Sequence, residues 1–82
     1  MNKLKILIVD DHTLFRKGLK EILLDNPSVR ECKEAENGYE AISMIEKENF
    51  DILFLDIAMP KIDGLETLRR LKSINPKLKV LM

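Results

Sequence analysis

The chain has 82 residues, which is enough for one small domain. Its 45% hydrophobic and 34% charged residues are typical of a globular protein, and fourteen basic residues balance fourteen acidic ones. No overall electrostatic field therefore favours binding to nucleic acid or to a membrane surface.

The single cysteine, Cys32, excludes an intramolecular disulfide and fits a reducing compartment, where we expect it to be a small buried residue. No apolar run approaches the roughly 20 residues of a membrane span, and residues 1–5 leave no space for a signal peptide, so the sequence predicts a cytoplasmic protein.

Strand-like apolar runs alternate with helical stripes along the whole chain. We predict strands at residues 5–9, 29–35, 52–55 and 79–82, and helices at about 13–25, 39–48 and 65–74. Runs 4–9 and 52–55 are almost uninterrupted, as in strands buried on both faces, whereas 29–35 is polar enough for an edge. The alternation predicts an α/β protein with a doubly wound parallel sheet.

Apolar spacing also predicts which side of each helix faces the sheet. The predicted inward positions are Leu14, Phe15, Leu19, Ile22 and Leu23 in the first helix, Ala41, Ile42 and Ile45 in the second, and Leu65, Leu68 and Leu71 in the third. Asn-Pro pairs at residues 26–27 and 75–76 end the first and third helices.

Three carboxylates follow two of the predicted buried strands. Asp10 and Asp11 come directly after the first strand, and Asp56 directly after the third. The carboxyl ends of parallel strands form the crevice in which open α/β sheets bind ligands, and adjacent strands lie only about 5 Å apart. Such a cluster repels itself unless a cation joins it, so a divalent metal is the first hypothesis. Helix capping is the alternative explanation for Asp10 and Asp11.

The motifs around these carboxylates resemble the receiver domain of two-component response regulators, within the CheY-like superfamily. Residues 6–12 read ILIVDDH, residues 53–60 read LFLDIAMP, and Asp63-Gly64 closes the following loop. Three further stretches resemble the subfamily that joins a receiver to a LuxR/NarL-type helix-turn-helix: VDDHTLFRKGL at 9–19, EAENG at 34–38 and GLETL at 64–68. The resemblance covers essentially all 82 residues.

The resemblance implies a flavodoxin-like sheet with strand order 2-1-3-4 and a role for each matched residue. Asp56 would be the phosphoacceptor, since a carboxylate can form an acyl phosphate. Asp11 and Asp56 would bind Mg²⁺ (or Mn²⁺) together with the backbone carbonyl of Ala58, and Asp10 would bind through water. Met59, Pro60 and Gly64 would shape the loop beside the site. The phosphoryl donor would be a sensor histidine kinase, and the full-length protein would regulate transcription through a DNA-binding domain that this chain does not carry.

Other candidate residues have simpler explanations. His12 follows the acidic pair, but phosphorelay histidines belong to the partner protein, so we expect a helix-start or surface role. Lys61 is expected to be a solvated loop lysine. Asp63 is expected to cap the third helix rather than to bind a ligand.

Two elements of the receiver site are absent from the sequence. The family places a Thr or Ser just beyond the fourth strand and a Lys after a fifth strand, whereas this chain ends within its fourth strand, at Met82. Residues 1–82 are therefore expected to form an incomplete receiver domain (β1-α1-β2-α2-β3-α3-β4), truncated before the fifth strand. The exposed apolar fourth strand predicts self-association through that edge or by element swapping.

Two other functions remain open at the level of sequence. The chain is either a phosphoacceptor module or a fragment that acts only in folding, dimerisation or interaction without switching. A metal-dependent phosphohydrolase is the third hypothesis, but its usual Asp-x-Asp pair is absent because Ile57 and Ala58 follow Asp56. Beyond autophosphorylation from a donor and autodephosphorylation, we expect no enzymatic activity.

Overall fold

A computed structural model describes residues 3–56 and 64–81, which form a four-stranded parallel sheet with helices on both faces. The elements are β1 (Leu4–Val9), α1 (Thr13–Leu24), β2 (Val29–Ala35), α2 (Gly38–Lys47), β3 (Ile52–Leu55), α3 (Gly64–Ile74) and β4 (Lys79–Leu81). The strand order is β2-β1-β3-β4, so the predicted fold class, strand order and edge position of β2 are confirmed. The predicted element bounds differ from the observed ones by one residue at most, and residue 82 lies outside the described residues.

The strand order places the two acid-bearing strands side by side at the centre of the sheet. β1 pairs with β2 on one side and with β3 on the other. The last four residues of β1 are all buried, as expected of a central strand covered on both faces. After β1 the chain adds β2 on one side of it, and then adds β3 and β4 on the other side. The point between β1 and β3, where the order of the strands changes direction, is where α/β sheets of this type bind ligands.

Two hydrophobic clusters cover the two faces of the sheet. The larger one packs α2 and α3 against the sheet through Ala41, Ile45 and Leu71. The smaller one packs α1 against it through Leu19 and Leu23. Helix α1 is therefore on one face, and α2 and α3 are on the other. None of the helices within the described ranges is long and apolar enough to cross a membrane.

The predicted inward face of α1 is wrong at three positions. Leu14 is 88% exposed, and Phe15 and Ile22 are exposed as well. The helix meets the sheet through Leu19 and Leu23. At about 100° per residue, Ile22 is rotated by about 100° from Leu23, so a five-residue stripe is too wide to be covered by β1 and β2 alone.

Helix α3 contains a further error of the same kind. Leu65 was predicted to face inward, but it is 63% exposed, whereas Thr67 and Leu71 are fully buried. Thr67 and Leu71 are one helical turn apart and set the inward direction, and Leu65 is rotated by about 200° from Thr67. Leu68 packs at the margin of the core, as does the predicted Ile42 of α2, whereas the predicted Ala41 and Ile45 are buried within it.

Candidate functional site

The backbone of the sheet brings the first and third strand ends together. Val9 and Leu55 are paired in the register of β1 and β3, so the residues that follow them, Asp10 and Asp56, begin at the same level. The Asp56 N–H donates to the Val9 carbonyl at 3.0 Å, and the Asp10 N–H donates to the Ala35 carbonyl at 3.1 Å. Both acidic residues are thus anchored by the strand that neighbours their own.

Four side chains converge at this edge of the sheet. Asp10, Asp11, His12 and Asp56 each offer one potential ligand atom, and these atoms all lie within 4.8 Å of one another. Asp10 is 7% exposed, Asp56 is half-buried, and Asp11 and His12 are exposed. Three carboxylates at this separation repel one another and favour a bound cation. Carboxylate oxygens that leave positions open for water are the ligands that Mg²⁺ prefers, so the donor set fits this ion.

His12 contributes more to the site than its sequence position indicated. As expected, it is exposed at the helix start, where it is the N-cap residue of α1. Its backbone N–H donates to Asp10 Oδ1 at 2.7 Å, and its Nδ1 lies 2.8 Å from Asp10 Oδ1 and 3.1 Å from Asp11 Oδ1. The hydrogen bond to Asp10 and the charge of Asp11 raise the pKa of His12 above its ordinary value. The two carboxylates therefore favour the protonated ring, and in that form the ring offsets part of the acidic charge.

The capping explanation for Asp10 is partly correct. Asp10 Oδ1 accepts the N–H of His12, two residues along, as a residue preceding a helix often does. That bond uses one oxygen of the carboxylate and fixes the direction of the side chain. Capping and cation binding are thus compatible at Asp10, because a carboxylate has about four lone-pair sites.

Sequence reasoning missed Arg16, which lies directly beneath the acidic loop. Its Nη1 donates to the backbone carbonyl of Asp10 at 2.6 Å, and its Nε donates to Glu34 Oε1 at 3.0 Å. The signal in the sequence was the position of Arg16, three and seven residues before Leu19 and Leu23, on the face of α1 that packs on the sheet.

An apolar groove of about 600 Å³ leads away from the carboxylates. Its floor includes Ile8 and Phe54 of the two central strands and Leu81 of β4, and its wall is formed by Phe15 and Leu19 of α1. Asp10, His12 and Asp56 line one end of it. The groove exposes the α1 side of β3 and β4, and this is why part of the predicted stripe of α1 is exposed.

The remaining predicted site residues have different outcomes. Ala58, Met59, Pro60, Lys61 and Asp63 lie outside the described residues. Gly64 is buried as the first residue of α3. Cys32 is buried beneath α1, as predicted, and burial raises the pKa of its thiol, so it is a core residue.

The sequence matches one protein-family model, that of the response regulator receiver domain, over residues 6–82. Among curated proteins, the transcriptional regulatory protein DegU of Brevibacillus brevis is 43% identical over 81 residues, which are 99% of this chain and 34% of that protein. The chemotaxis protein CheY of Listeria monocytogenes is 43% identical over 79 residues, which are 96% of this chain and 66% of that protein. The chain thus spans about a third of the first relative and about two thirds of the second.

A solved structure gives the same result in three dimensions. The response regulator TrrA of Thermotoga maritima, in complex with Mg²⁺-BeF, superimposes with a TM-score of 0.86 at 38% identity. The match covers 98% of this chain and 66% of that one. That structure contains magnesium and a fluoride of beryllium.

Proposed function

The chain belongs to the response regulator receiver domain family, and from that premise we propose that it is a phosphoacceptor module in which Asp56 is phosphorylated with the help of Mg²⁺. Receiver domains are signalling parts of two-component systems rather than enzymes, although some relatives of this chain are enzymes by name, such as the protein-glutamate methylesterase of Pyrococcus horikoshii. The observation that carries the proposal is the convergence of Asp10, Asp11 and Asp56 at the carboxyl ends of β1 and β3.

Asp56 is the proposed nucleophile. A carboxylate oxygen attacks phosphorus, forms a P–O bond and yields an acyl phosphate. With a phosphohistidine donor whose other ring nitrogen carries a proton, the P–N bond breaks, its electron pair stays on the imidazole nitrogen, and the ring leaves as neutral imidazole. Asp56 suits this role because its amide is fixed by Val9 and its side chain is half-buried beside the groove.

Asp11 is the proposed direct ligand of the cation, and Asp10 the proposed ligand through water. Asp11 is the more exposed of the two, whereas Asp10 is buried and already accepts the His12 amide. Mg²⁺, when bound, neutralises charge on the transferring phosphoryl group. A contribution of the Ala58 carbonyl and a loop-shaping role of Met59, Pro60 and Gly64 remain parts of the proposal.

The wider setting is proposed from the family and from relatives. A sensor histidine kinase in the cytoplasm is the proposed phosphoryl donor. DegU is named a transcriptional regulatory protein, which supports a transcriptional output for the full-length protein. That residues 1–82 are the amino-terminal part of a larger receiver domain is supported by the 66% coverage of CheY and TrrA.

The test is incubation of the chain with acetyl phosphate and Mg²⁺, followed by intact-mass spectrometry. We expect a mass gain of one phosphoryl group in the wild type, no gain in Asp56→Asn, and no gain without Mg²⁺. Asp51→Asn is the matched control, because Asp51 precedes β3 at the opposite end of the strand that Asp56 follows. A gain that persists in Asp56→Asn would show that another residue is the acceptor.

A second function, self-association, has its own support. β4 forms one edge of the sheet, and its exposed Leu81 lines the same groove as the exposed Phe15 of α1. The zero net charge opposes association of two copies only weakly. We expect sedimentation at high micromolar concentration to detect dimers that Phe15→Lys weakens. A cooperatively folded wild-type monomer at that concentration would contradict it.

A further inference from the structure

Arg16 is a buried cation on the helix that faces the acidic site. It is the fourth residue of α1 and is 8% exposed, although the other core contacts of this helix are apolar. Burying a charge is costly unless the charge is paired and hydrogen-bonded. An alkyl side chain would pack here without that cost, so the contacts of the guanidinium need an explanation.

Those contacts join three parts of the fold. Nη1 donates to the Asp10 carbonyl at 2.6 Å, and Nε donates to Glu34 Oε1 of β2 at 3.0 Å. Nη2 lies 3.5 Å from Thr13 Oγ1, at the start of α1. The planar fork of an arginine can hold three such acceptors in fixed relative directions, whereas a lysine ammonium cannot.

The carbonyl that Arg16 holds belongs to the peptide unit between the two acidic residues. The Asp10 N–H is bonded to Ala35 of β2, so residue 10 is held at both its amide and its carbonyl. Rotation of the peptide that follows Asp10 would turn the Asp11 side chain and move the His12 amide away from Asp10 Oδ1. The Arg16 bond blocks that rotation.

Glu34 keeps the guanidinium in place and balances its charge. Its carboxylate also faces Lys17 at 3.4 Å and Lys20 at 3.7 Å. Burial alone would raise the pKa of Glu34, but the Arg16 hydrogen bond and the charge of Lys17 lower it below its ordinary value, so the group is ionised at neutral pH. The guanidinium is neutralised by Glu34 on β2 rather than by the carboxylates of the site.

We propose that Arg16, clamped by Glu34, is a positioning residue that orients the Asp10–Asp11 peptide so that both carboxylates face the cation. The inference rests on the proposed function, because it assigns the cation to the same cluster. Partners of ligand residues commonly set metal affinity in this way without touching the metal.

The first measurement is a Mn²⁺ titration followed by electron paramagnetic resonance of the free ion. We expect Arg16→Met to weaken binding by about tenfold or more, as loss of an outer-shell partner does, and Arg16→Lys not to restore it. Glu34→Gln changes binding in the same direction. The matched control is Arg30→Met, which removes an exposed arginine that also faces a glutamate, Glu31, and leaves binding unchanged.

The second measurement needs no metal. Amide hydrogen exchange of His12 reports its bond to Asp10 Oδ1, and Leu7 in the buried centre of β1 reports global unfolding. Positioning predicts that Arg16→Met accelerates His12 about tenfold more than it accelerates Leu7. A residue that only stabilises the fold would accelerate both by the same factor.

The outcomes separate the two levels of the proposal. If the wild type binds Mn²⁺ and Arg16→Met binds it equally well, the positioning role is overturned and the proposed function stands. If the wild type binds no Mn²⁺, the proposed cation site falls and the assignment of Arg16 to it falls with it. If circular dichroism shows that Arg16→Met does not fold, the same two measurements on Arg16→Lys and Glu34→Gln decide whether the pair positions the site.

Discussion

Replacing Asp56 by Asn should stabilise the metal-free chain. The site packs the ligand atoms of three carboxylates within 4.8 Å of one another. At that distance one pair of charges repels by about 0.9 kcal/mol in bulk water and by about 3.5 kcal/mol at an effective dielectric constant near 20. Asp11 is exposed and Asp56 only half-buried, so the lower value is the better guide. Asp56→Asn removes two of the three repulsions, and we expect the free energy of unfolding to rise by about 1–2 kcal/mol.

The assay is urea unfolding followed by far-ultraviolet circular dichroism, with a chelator or with Mg²⁺. At an Mg²⁺ concentration tenfold above its Kd, the wild type should gain about 1.4 kcal/mol, and Asp56→Asn should gain less because one ligand has lost its charge. Asp51→Asn, at the opposite end of β3, should show no gain in the chelator, since the Asp51 carboxylate accepts the Lys5 amide. A destabilised Asp56→Asn chain in the chelator would refute the view that repulsion dominates this cluster.

Two further predictions concern the core and the surface. Leu53→Ala should lower the free energy of unfolding by about 2–5 kcal/mol, whereas Leu65→Ala should change it by less than about 0.5 kcal/mol. The reason is that Leu53 is fully buried and Leu65 is exposed. An equally large loss for Leu65→Ala in urea unfolding would contradict the outward position of Leu65 in α3. The hydrogen bond from Lys5 lowers the pKa of Glu48 below its ordinary 4.5, so the stability that Glu48 provides is present above that pH and is lost as the pH falls through the lower, folded value. The wild type should therefore have a higher unfolding midpoint than Glu48→Gln at pH 6, and the two midpoints should converge below pH 4. The control is Glu46→Gln, which changes an exposed residue of α2. A difference that persists at low pH, or that Glu46→Gln reproduces, would contradict the role given to Glu48.

The sheet was predictable because the sequence of each strand indicates how many of its faces are buried. β1 and β3 are apolar at almost every position, and such short runs are typical of strands with both faces covered. The polar character of β2 correctly indicated an edge. The position of the carboxylates followed from the sheet, because the register that pairs Val9 with Leu55 fixes the level of the residues after them.

The helical faces were less predictable because a stripe gives the apolar direction but not the area available to cover it. In α1 the apolar stripe spans residues that the sheet covers and residues that border the groove, and sequence alone did not separate Leu19 from Phe15. The contact between the His12 ring and the two carboxylates was missed for a related reason. It depends on the rotamer of an exposed N-cap side chain, and spacing along the chain carries no information about a rotamer.

Arg16 was missed because a charge between apolar residues of a helix is usually a long side chain that reaches solvent. Here the side chain reaches a backbone carbonyl in the segment just before α1 and a carboxylate 18 residues further along the chain, on β2. Helical spacing within α1 indicates neither partner. The sequence contained both partners, Arg16 in α1 and Glu34 one residue before the end of β2. The pattern has three parts. A strand ends in acidic residues, the helix that follows carries a cation on its sheet-facing side, and the neighbouring strand has an acid near its end. This pattern is worth seeking in a sequence whose carboxylates are already evident. In this chain the three carboxylates define where a cation would bind, and the Arg16–Glu34 pair defines how two of them are held there.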